Sequence, residues 1–464
     1  MVEISIIKSS ELMFHDRLDP DFYKPSYLEI YHILEKISNK YPLVKLPKLL
    51  IIPVRTGSTP DPENRIPKLD GSDVMFIKTD SVRKGFINYD SADLLPLIEH
   101  KKRESTALKK MDIVVTVVGA THEIIGRAGI FLRNCEANIN QSNAIIRVDF
   151  NKIEPGYLST FINSRYGRTQ LWRYSGQTGQ VTMNCREVEE LLVLMLPKKL
   201  RKEIHRLIIE SEIMREKSIE IYKKAEDLLN KELNIKNIKI EKKLVFTKNL
   251  SEINNNKRID AEYYKPEYED FLDIIYKHHG GFINLSENDI KDEIFVPKNQ
   301  EKYNYIELAN IKSSIGLVES TIYEIGENLP TRARKLVKDS DVIISTIEGS
   351  LNSSALITKE YDNSLCSTGF FVLNLKNIYC PEFLVVLVKN WLIQALLKRG
   401  CSGTILAAIS KKELMKIPLP KVNKKNQKKI VQLIKESYSY YYKAKNNLEK
   451  AKKKVEKAIE ENKK

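Results

Sequence analysis

Cysteine is scarce in this chain of 464 residues. There are five, at Cys135, Cys185, Cys366, Cys380 and Cys401, and no CxxC pair. An odd, scattered set excludes a disulfide scaffold and a zinc ribbon, and points to free thiols in a reducing compartment. Long apolar runs are also lacking. The most apolar stretch, residues 383–397, is interrupted by Lys389 and Asn390 and falls short of the ~20 residues a membrane span needs. The opening MVEISIIKSSELMFHDR has no apolar h-region and no small-residue cleavage site, so no signal peptide is expected. These absences predict a cytoplasmic protein with no membrane association.

Enzyme signatures are missing as well. There is no GxxxxGK[ST] phosphate loop, no HExxH and no GxSxG. No N/D-P-P-Y/F follows a strand and no glycine-rich loop opens a βαβ unit, which argues against an S-adenosylmethionine-dependent adenine methyltransferase. Pro60-Asp61 followed at a distance by Lys78 loosely matches a nuclease pattern, but no acidic-x-Lys element accompanies it. The seven histidines show no metal-ligand spacing; His278-His279 sit beside Gly280-Gly281 and read as a turn. No catalytic residue, metal or resident cofactor is expected.

What is present is positive charge. Lys and Arg number 76 against 61 Asp and Glu, a formal net charge of +15 with a pI near 9.2. Such a surplus suggests a polyanionic partner, nucleic acid first. With 42% hydrophobic and 30% charged residues the chain is an ordinary globular one, long enough for two to four domains at about 100–200 residues each.

The chain also repeats itself. Arg17-Leu-Asp19-Pro-Asp-Phe22-Tyr23-Lys24-Pro25-Ser-Tyr27 returns as Arg258-Ile-Asp260-Ala-Glu-Tyr263-Tyr264-Lys265-Pro266-Glu-Tyr268, with six of eleven positions identical and a seventh aromatic in both, at an offset of 241. Further pairs follow in the same order: Asp112-Ile113-Val114-Val115 with Asp341-Val342-Ile343-Ile344, and Pro155-Gly-Tyr157-Leu158 with Pro381-Glu-Phe383-Leu384. Polar loops holding Gly179 and Gly403 come next, then short apolar strands ending at Pro197 and Pro420. The copies agree at apolar and punctuating positions and differ at most polar ones, as one scaffold presenting two different surfaces would.

After each closing proline comes a segment without Gly or Pro, residues 200–232 and 424–464. Apolar or small residues recur there at three- and four-residue steps, including Ile204, Ile208, Ser211, Tyr222, Ala225 and Leu229, then Ile430, Ile434, Ser437, Ala444, Ala451 and Val455. This predicts two long helices, roughly 50 Å each at 1.5 Å per residue, packed on one another. The second is strongly basic, with 14 Lys against 5 Glu between Lys424 and Lys464. A linker rich in Asn and Lys, residues 247–257, separates the halves.

Taken in order, these features resemble the specificity subunit of Type I restriction–modification systems. The resemblance rests on the two R-x-D-x-x-(F/Y)-Y-K-P blocks, the D-(I/V)-(V/I)-(V/I) strands, the Gly-containing loops, the closing strands and the long helices. The Arg55-Thr-Gly57-Ser-Thr59-Pro60 turn and the Asn423-Lys-Lys-Asn-Gln427 helix start add to it. It implies an α+β fold in which two similar target recognition domains alternate with two long helices packed as an antiparallel coiled coil, an internal pseudo-two-fold repeat. The expected boundaries are 1–197 and 246–420 for the recognition domains, and 198–245 and 421–464 for the helical spacers. The implied function is non-catalytic. Each domain reads one half of a bipartite, interrupted double-stranded DNA target, while the helices set the spacer and dock two methyltransferase subunits. Those subunits would carry the S-adenosylmethionine and connect to a restriction/translocase subunit. Three alternatives stay open: service to a fused methylase–nuclease, a DNA-modifying enzyme with an unrecognised motif, and a coiled-coil adaptor that binds any duplex.

Base readers should be polar or cationic side chains on loops. In the first half these are Thr56, Ser58, Thr59, Lys78, Thr79, Arg83, Lys84, Arg168, Arg173, Gln177, Thr178 and Gln180. In the second they are Lys312, Ser313, Ser314, Arg332, Arg334, Lys335, Lys398, Arg399, Ser402 and Thr404. The repeated Arg17, Asp19, Tyr23 and Lys24, with Arg258, Asp260, Tyr264 and Lys265, suggest instead a shared structural task such as an Arg–Asp pair seating each domain on a helix. Two departures from the family pattern stand out. The second half lacks a copy of the Gly57–Pro60 turn, having Pro297-Lys-Asn-Gln300 nearby instead, and the first helix opens with Lys198-Lys-Leu-Arg rather than a Gln motif.

Overall fold

A computed structural model describes residues 6–7, 18–175, 181–235, 245–403 and 406–462. Both apolar stripes form single helices, a first long helix Lys198–Glu232 and a second long helix Lys424–Glu460. The chain divides into two compact units, one made of Met1–Arg215 with Tyr442–Lys464 and the other of Glu216–Tyr441. Each long helix therefore contributes a segment to both units. The residues assigned to the linker include a short helix, Leu250–Asn256, which the Asn-rich composition did not suggest. All five cysteines are unpaired. Among the described residues, no helix is long and apolar enough to cross a membrane.

In the first unit the helix segments run antiparallel. The Ser211 hydroxyl donates to the Ala444 carbonyl at 2.9 Å, and Lys454 pairs with Glu203 at 3.1 Å. Ile204, Leu207, Ile208, Ala451, Val455 and Ile459 belong to the same buried cluster as Tyr157, Phe161 and Ile146, so the core of this unit is built partly from the far end of the chain. In the second unit the Ser437 hydroxyl donates to the Ser218 carbonyl at 2.7 Å, and Asn426 donates to Glu232 at 2.7 Å. Small residues at the seam let the backbones approach, and their hydroxyls find carbonyl partners instead of being buried unpaired.

The first unit holds a five-stranded sheet in the order Arg55–Thr56, Asn143–Ile146, Ile113–Thr116, Ala128–Ile130, Gly85–Phe86, with only the last pair parallel. A three-stranded sheet beside it runs Asp93–Leu95, Val74–Ile77, Ala137–Ile139. The second unit holds a six-stranded sheet: Ile290–Lys291, Phe370–Leu373, Val342–Ser345, Ala355–Leu356, Leu317–Val318, Ile311–Lys312. The parallel pair again joins its fourth and fifth strands. A four-stranded sheet, Ile322–Ile325, Lys302–Ile306, Leu365–Ser367, Ala333–Leu336, completes it.

The acidic residues that open the central strands have a physical task. Asp112 and Asp341 are 2% and 0% exposed, and each follows a residue forced into the left-handed region, Met111 at φ 76° and Ser340 at φ 69°. Asp112 accepts from the Lys109 backbone N–H at 2.7 Å and takes a two-bond clamp from Arg147. Asp341 accepts from the Lys338 N–H at 2.8 Å and from Lys291 and Asn374. A buried carboxylate needs such partners, and here they hold the tight turn into the strand.

Each central sheet is covered by two consecutive helices, Pro155–Asn163 with Arg165–Tyr174, and Pro381–Lys389 with Trp391–Gly400. Proline at the first position starts the leading helix of each pair, where a missing N–H costs nothing. Ser164 and Asn390 break the helical run and cap the next one, accepting from Gly167 at 3.4 Å and Leu392 at 3.1 Å. Ile434, fully buried on the second long helix, tests how far stability rests on the seam. Ile434→Ala is expected to cost about 2–5 kcal/mol in urea unfolding of the full chain.

Candidate nucleic-acid interface

Sheet register decides which loops meet. In the first unit Thr116 lies opposite Asn143, Val115 opposite Ala128, Ala144 opposite Thr56, and Gly85 beside Gly129 in parallel. The loops after Thr56 and Thr116, and those before Asn143, Ala128 and Gly85, therefore emerge at one end of the sheet. The strand Val74–Ile77 adds the loop after Ile77, whose carbonyl accepts from the Asn140 N–H at 3.2 Å. Thr56, Ser58, Thr59, Lys78, Thr79, Arg83 and Lys84, scattered in sequence, are thus gathered at this end.

Two contacts organise it. Gly57 passes so close to the Ile139 carbonyl that a Cβ would lie 2.0 Å from the oxygen, and Thr59 donates to Gln141. Only glycine fits there, which explains the Gly in the Arg55–Pro60 turn. The second centre is residues 120–127. Lys84 pairs with Glu123 at 2.9 Å, and Arg127 and Arg168 donate to the Glu123 carbonyl, both at 2.9 Å. The hydrogen bond from Lys84 holds the Glu123 carboxyl below its usual range, while burial and then the neighbouring Arg83 push Arg127 down. Arg127 belongs to this cationic group and was missed in the sequence, because an Arg within Gly126-Arg127-Ala128-Gly129 looks like part of a strand turn. Gln177, Thr178 and Gln180 lie outside the described residues. Their flanks are placed, however: the Ser175 hydroxyl is 3.4 Å from His122, and Val181 pairs with Gly119.

In the second unit the same reasoning joins the loops after Lys291, Lys312 and Ser345 with those before Leu317, Ala355 and Phe370. Ser313, Ser314 and Lys398 lie on or beside these loops. Lys398 pairs with Glu348 at 3.6 Å, and the Glu348 N–H donates to the Ala407 carbonyl at 2.9 Å, bringing in the segment after Ser402. Arg332 joins them, since its carbonyl accepts from Thr368 at 2.8 Å; Arg334 donates to Thr331 at 2.9 Å. The loop after Lys291 carries Ile294 and Val296, 75% and 70% exposed, which polarity-based selection passed over. Thr404 lies outside the described residues.

Four expected readers are corrected by burial. Arg173, 5% exposed, donates to the Phe22 carbonyl at 3.0 Å and stacks 3.9 Å above the Phe22 ring. Arg168, 4% exposed, is spent on the His122 and Glu123 carbonyls, and burial pushes it down to about 10. Lys312 and Lys335 are 5% and 9% exposed; Lys335 donates to the Phe370 carbonyl at 2.9 Å and pairs with Asp292 at 3.2 Å. In Arg168, Arg173 and Lys335 the charged head is turned to carbonyls of the fold, a use of Arg and Lys that composition cannot distinguish from surface display. Arg399 is partly buried in the same way, donating to the Tyr263 carbonyl at 3.0 Å over the Tyr263 ring.

The repeated block is structural where it is described. Arg258 makes two hydrogen bonds to Asp260, at 2.9 and 2.7 Å, and reaches the Gly400 and Cys401 carbonyls at 3.2 and 2.7 Å. A guanidinium thus closes the C-terminal end of helix Trp391–Gly400, where carbonyls lack partners and the dipole favours a cation. Arg258, Asp260, Lys265, Lys398, Arg399 and Ser402 line one cleft. Arg17 lies outside the described residues. The two long-helix starts also do one job with different chemistry. Gln427, 3% exposed, bonds the Val422 carbonyl at 2.8 Å and accepts from Cys380 at 3.1 Å. Arg201 bonds the Leu196 and Lys152 carbonyls and pairs with Glu154 at 2.9 Å. This accounts for the missing Gln motif at the first helix.

The exposed cations at the loop ends are matched by carboxylates: Lys78 with Asp93 at 2.8 Å, Lys84 with Glu123, Arg332 with Glu307 at 3.0 Å, Lys398 with Glu348. Exposed pairs of this kind contribute about 0–1 kcal/mol each, so a phosphate can displace the carboxylate at little cost.

No protein-family model matches the chain, and no curated protein matches it. Among solved structures it is similar to the S subunit of a Type-I restriction-modification system from M. genitalium, at 14% identity over 90% of this chain and 96% of that one, TM-score 0.39. It is similar to the HsdS subunit from Thermoanaerobacter tengcongensis at 14% identity over 91% and 96%, TM-score 0.28. The type IIG restriction endonuclease BpuSI is similar over 44% of this chain and 30% of that one, at 10% identity and TM-score 0.31.

The Arg258 clamp makes a stability prediction. Arg258→Lys keeps the charge but loses the planar fork, and is expected to cost about 1–3 kcal/mol in urea unfolding. Arg258 holds the Asp260 carboxyl below its usual range. That contribution is full above the ordinary carboxylate value of about 4 and is lost as pH falls through the lowered one. Acid titration of stability should show this component in the native chain and not in Arg258→Ala.

Proposed function

We propose that this chain is the non-catalytic DNA-specificity subunit of a Type I restriction–modification system. Each unit reads one half of a bipartite, interrupted target, through the loops at one end of its main sheet. The long helices set the spacer between the half-sites and dock two methyltransferase subunits, which supply S-adenosylmethionine and link to the restriction/translocase subunit. In this reading residues 1–197 and 246–420 are the recognition domains, and residues 198–245 and 421–464 are the helical spacers.

One observation carries this reading. The five strands of the first main sheet and the first five of the second follow one order, each with a parallel fourth–fifth pair, and each unit gathers polar and cationic loop residues at the corresponding end of its sheet. The sequence repeat beneath it preserves apolar and turn positions and lets the loop residues diverge, which suits a pseudo-two-fold reader of two unlike half-sites. In the first unit the readers are Thr56, Ser58, Thr59, Lys78, Thr79, Arg83 and Lys84, with Arg127 added and with Gln177, Thr178 and Gln180, which lie outside the described residues. In the second they are Ser313, Ser314, Arg332, Arg334, Lys398 and Ser402, with Thr404. Arg168, Arg173, Lys312 and Lys335 position the loops from inside. The net charge of +15 supplies salt-sensitive phosphate affinity, and the loops supply the base contacts.

Methylome sequencing of host cells with and without the gene, the partner methyltransferase present in both, tests the role. Adenine methylation at one interrupted motif should vanish with the gene, and exchanging residues 1–197 for those of a relative should change one half-site only. An unchanged methylome in an active system contradicts the reading. At the residue level, Arg83→Ala and Lys84→Ala should each lower the slope of log K against log salt by about 1 if they contact phosphate.

A further inference from the structure

Glu232, the last residue of the first long helix, is an anion at the negative end of a helix dipole, where a cation is the stabilising partner. Its side chain is 15% exposed. One oxygen, Oε2, accepts from the Asn426 side-chain amide at 2.7 Å. The other, Oε1, is buried without a hydrogen-bond partner. Two imidazoles face this carboxylate. His279 Nε2 is 3.8 Å from Oε1, and ligand atoms of Glu232, His278 and His279 all lie within 4.8 Å of one another. All three residues belong to the second unit.

The turn that carries the histidines is built to fix them. Gly281 takes a φ of +73°, which only glycine adopts without strain. Gly280 lies so near the Lys421 carbonyl that a Cβ would sit 2.0 Å from its oxygen. That approach leaves the same carbonyl 3.0 Å from His278 Nε2. A carbonyl only accepts, so Nε2 carries the proton and Nδ1 keeps its lone pair. A carbonyl on one imidazole nitrogen and an amide on the carboxylate are the outer partners that orient ligands at metal centres.

From this geometry we infer that Glu232, His278 and His279 form a binding site for a divalent transition-metal ion of the zinc class. Two imidazoles and a carboxylate suit that class, with a water completing four-fold coordination. The ion joins the end of the first long helix to the turn after helix Glu267–Tyr276 and, through Asn426, to the start of the second long helix. Its role is to fasten these three pieces within the second unit; it takes no part in reading DNA. Sequence spacing hides the site, because the carboxylate comes from a distant helix.

The test is calorimetric titration of zinc chloride into the full-length chain after chelator treatment, with cobalt(II) absorption as a second readout. One equivalent should bind, cobalt should give the visible bands of a four-coordinate ion, and zinc should raise the melting temperature. His279 is 67% exposed, so His279→Ala should fold normally yet lose both the binding and the thermal shift. Glu232→Gln should do the same, and Asn426→Ala should weaken binding about 10-fold or more. Absence of zinc binding overturns the inference, and so does binding that survives both His279→Ala and Glu232→Gln.

Discussion

The antiparallel packing of helix segments is the constraint on which each unit depends. In the first unit the core around Tyr157 and Phe161 is closed by Ile204 and Ile208 from one helix and by Ala451, Val455 and Ile459 from another, hundreds of residues on. Without the second segment that core would expose an apolar face along the helix. Small residues line the packing in each unit: Ser211 bonds the Ala444 carbonyl in the first, and Ser218 and Ser437 bond each other in the second. A leucine seam would widen the gap, and an unpaired hydroxyl would be costly; the serines avoid both. Folding of either unit therefore waits on the C-terminal helix, a non-local requirement that slows assembly but ties the helices to a single register.

The sheets turn this rigidity into a presentation surface. Register is specified wherever a face is buried, and a slip of one residue would move every loop-end side chain to the wrong face. The buried Asp112 and Asp341 turns hold the central strands in place with clamps from Arg147 in one unit and Lys291 in the other. Both clamps are cationic, but they come from different positions in the chain. The same substitution of chemistry at constant function recurs at the long-helix starts, where Arg201 and Gln427 each tie the helix to neighbouring carbonyls.

Charge is used in two ways. Arg168, Arg173, Arg258 and Lys335 are held by carbonyls and rings, and their removal would leave acceptors of the fold unpaired. Lys78, Lys84, Arg332 and Lys398 are held by carboxylates at solvent-facing loop ends, an arrangement that keeps them ordered yet exchangeable for phosphate. The first group gives the fold its hydrogen-bond closure; the second gives the surface its electrostatic character.

Much of this was legible in the residues alone. Periodicity without Gly or Pro fixed the existence of both long helices. Pro155 and Pro381 marked two further helix starts, and the matching blocks at Arg17 and Arg258 read as the openings of two comparable halves. These are local signals, and local chemistry determines them: dihedral preference, capping and the spacing of apolar side chains. The site was legible only as a set of loops. Whether Arg173 reaches outward or stacks on Phe22, whether Arg127 joins Lys84, and whether Glu232 meets His279 depend on strands and helices brought together from far along the chain. Sequence determined which segments become helix, strand and turn; tertiary structure alone decided which cations are interior struts and which face solvent, because burial is a property of the packed neighbours and not of the residue.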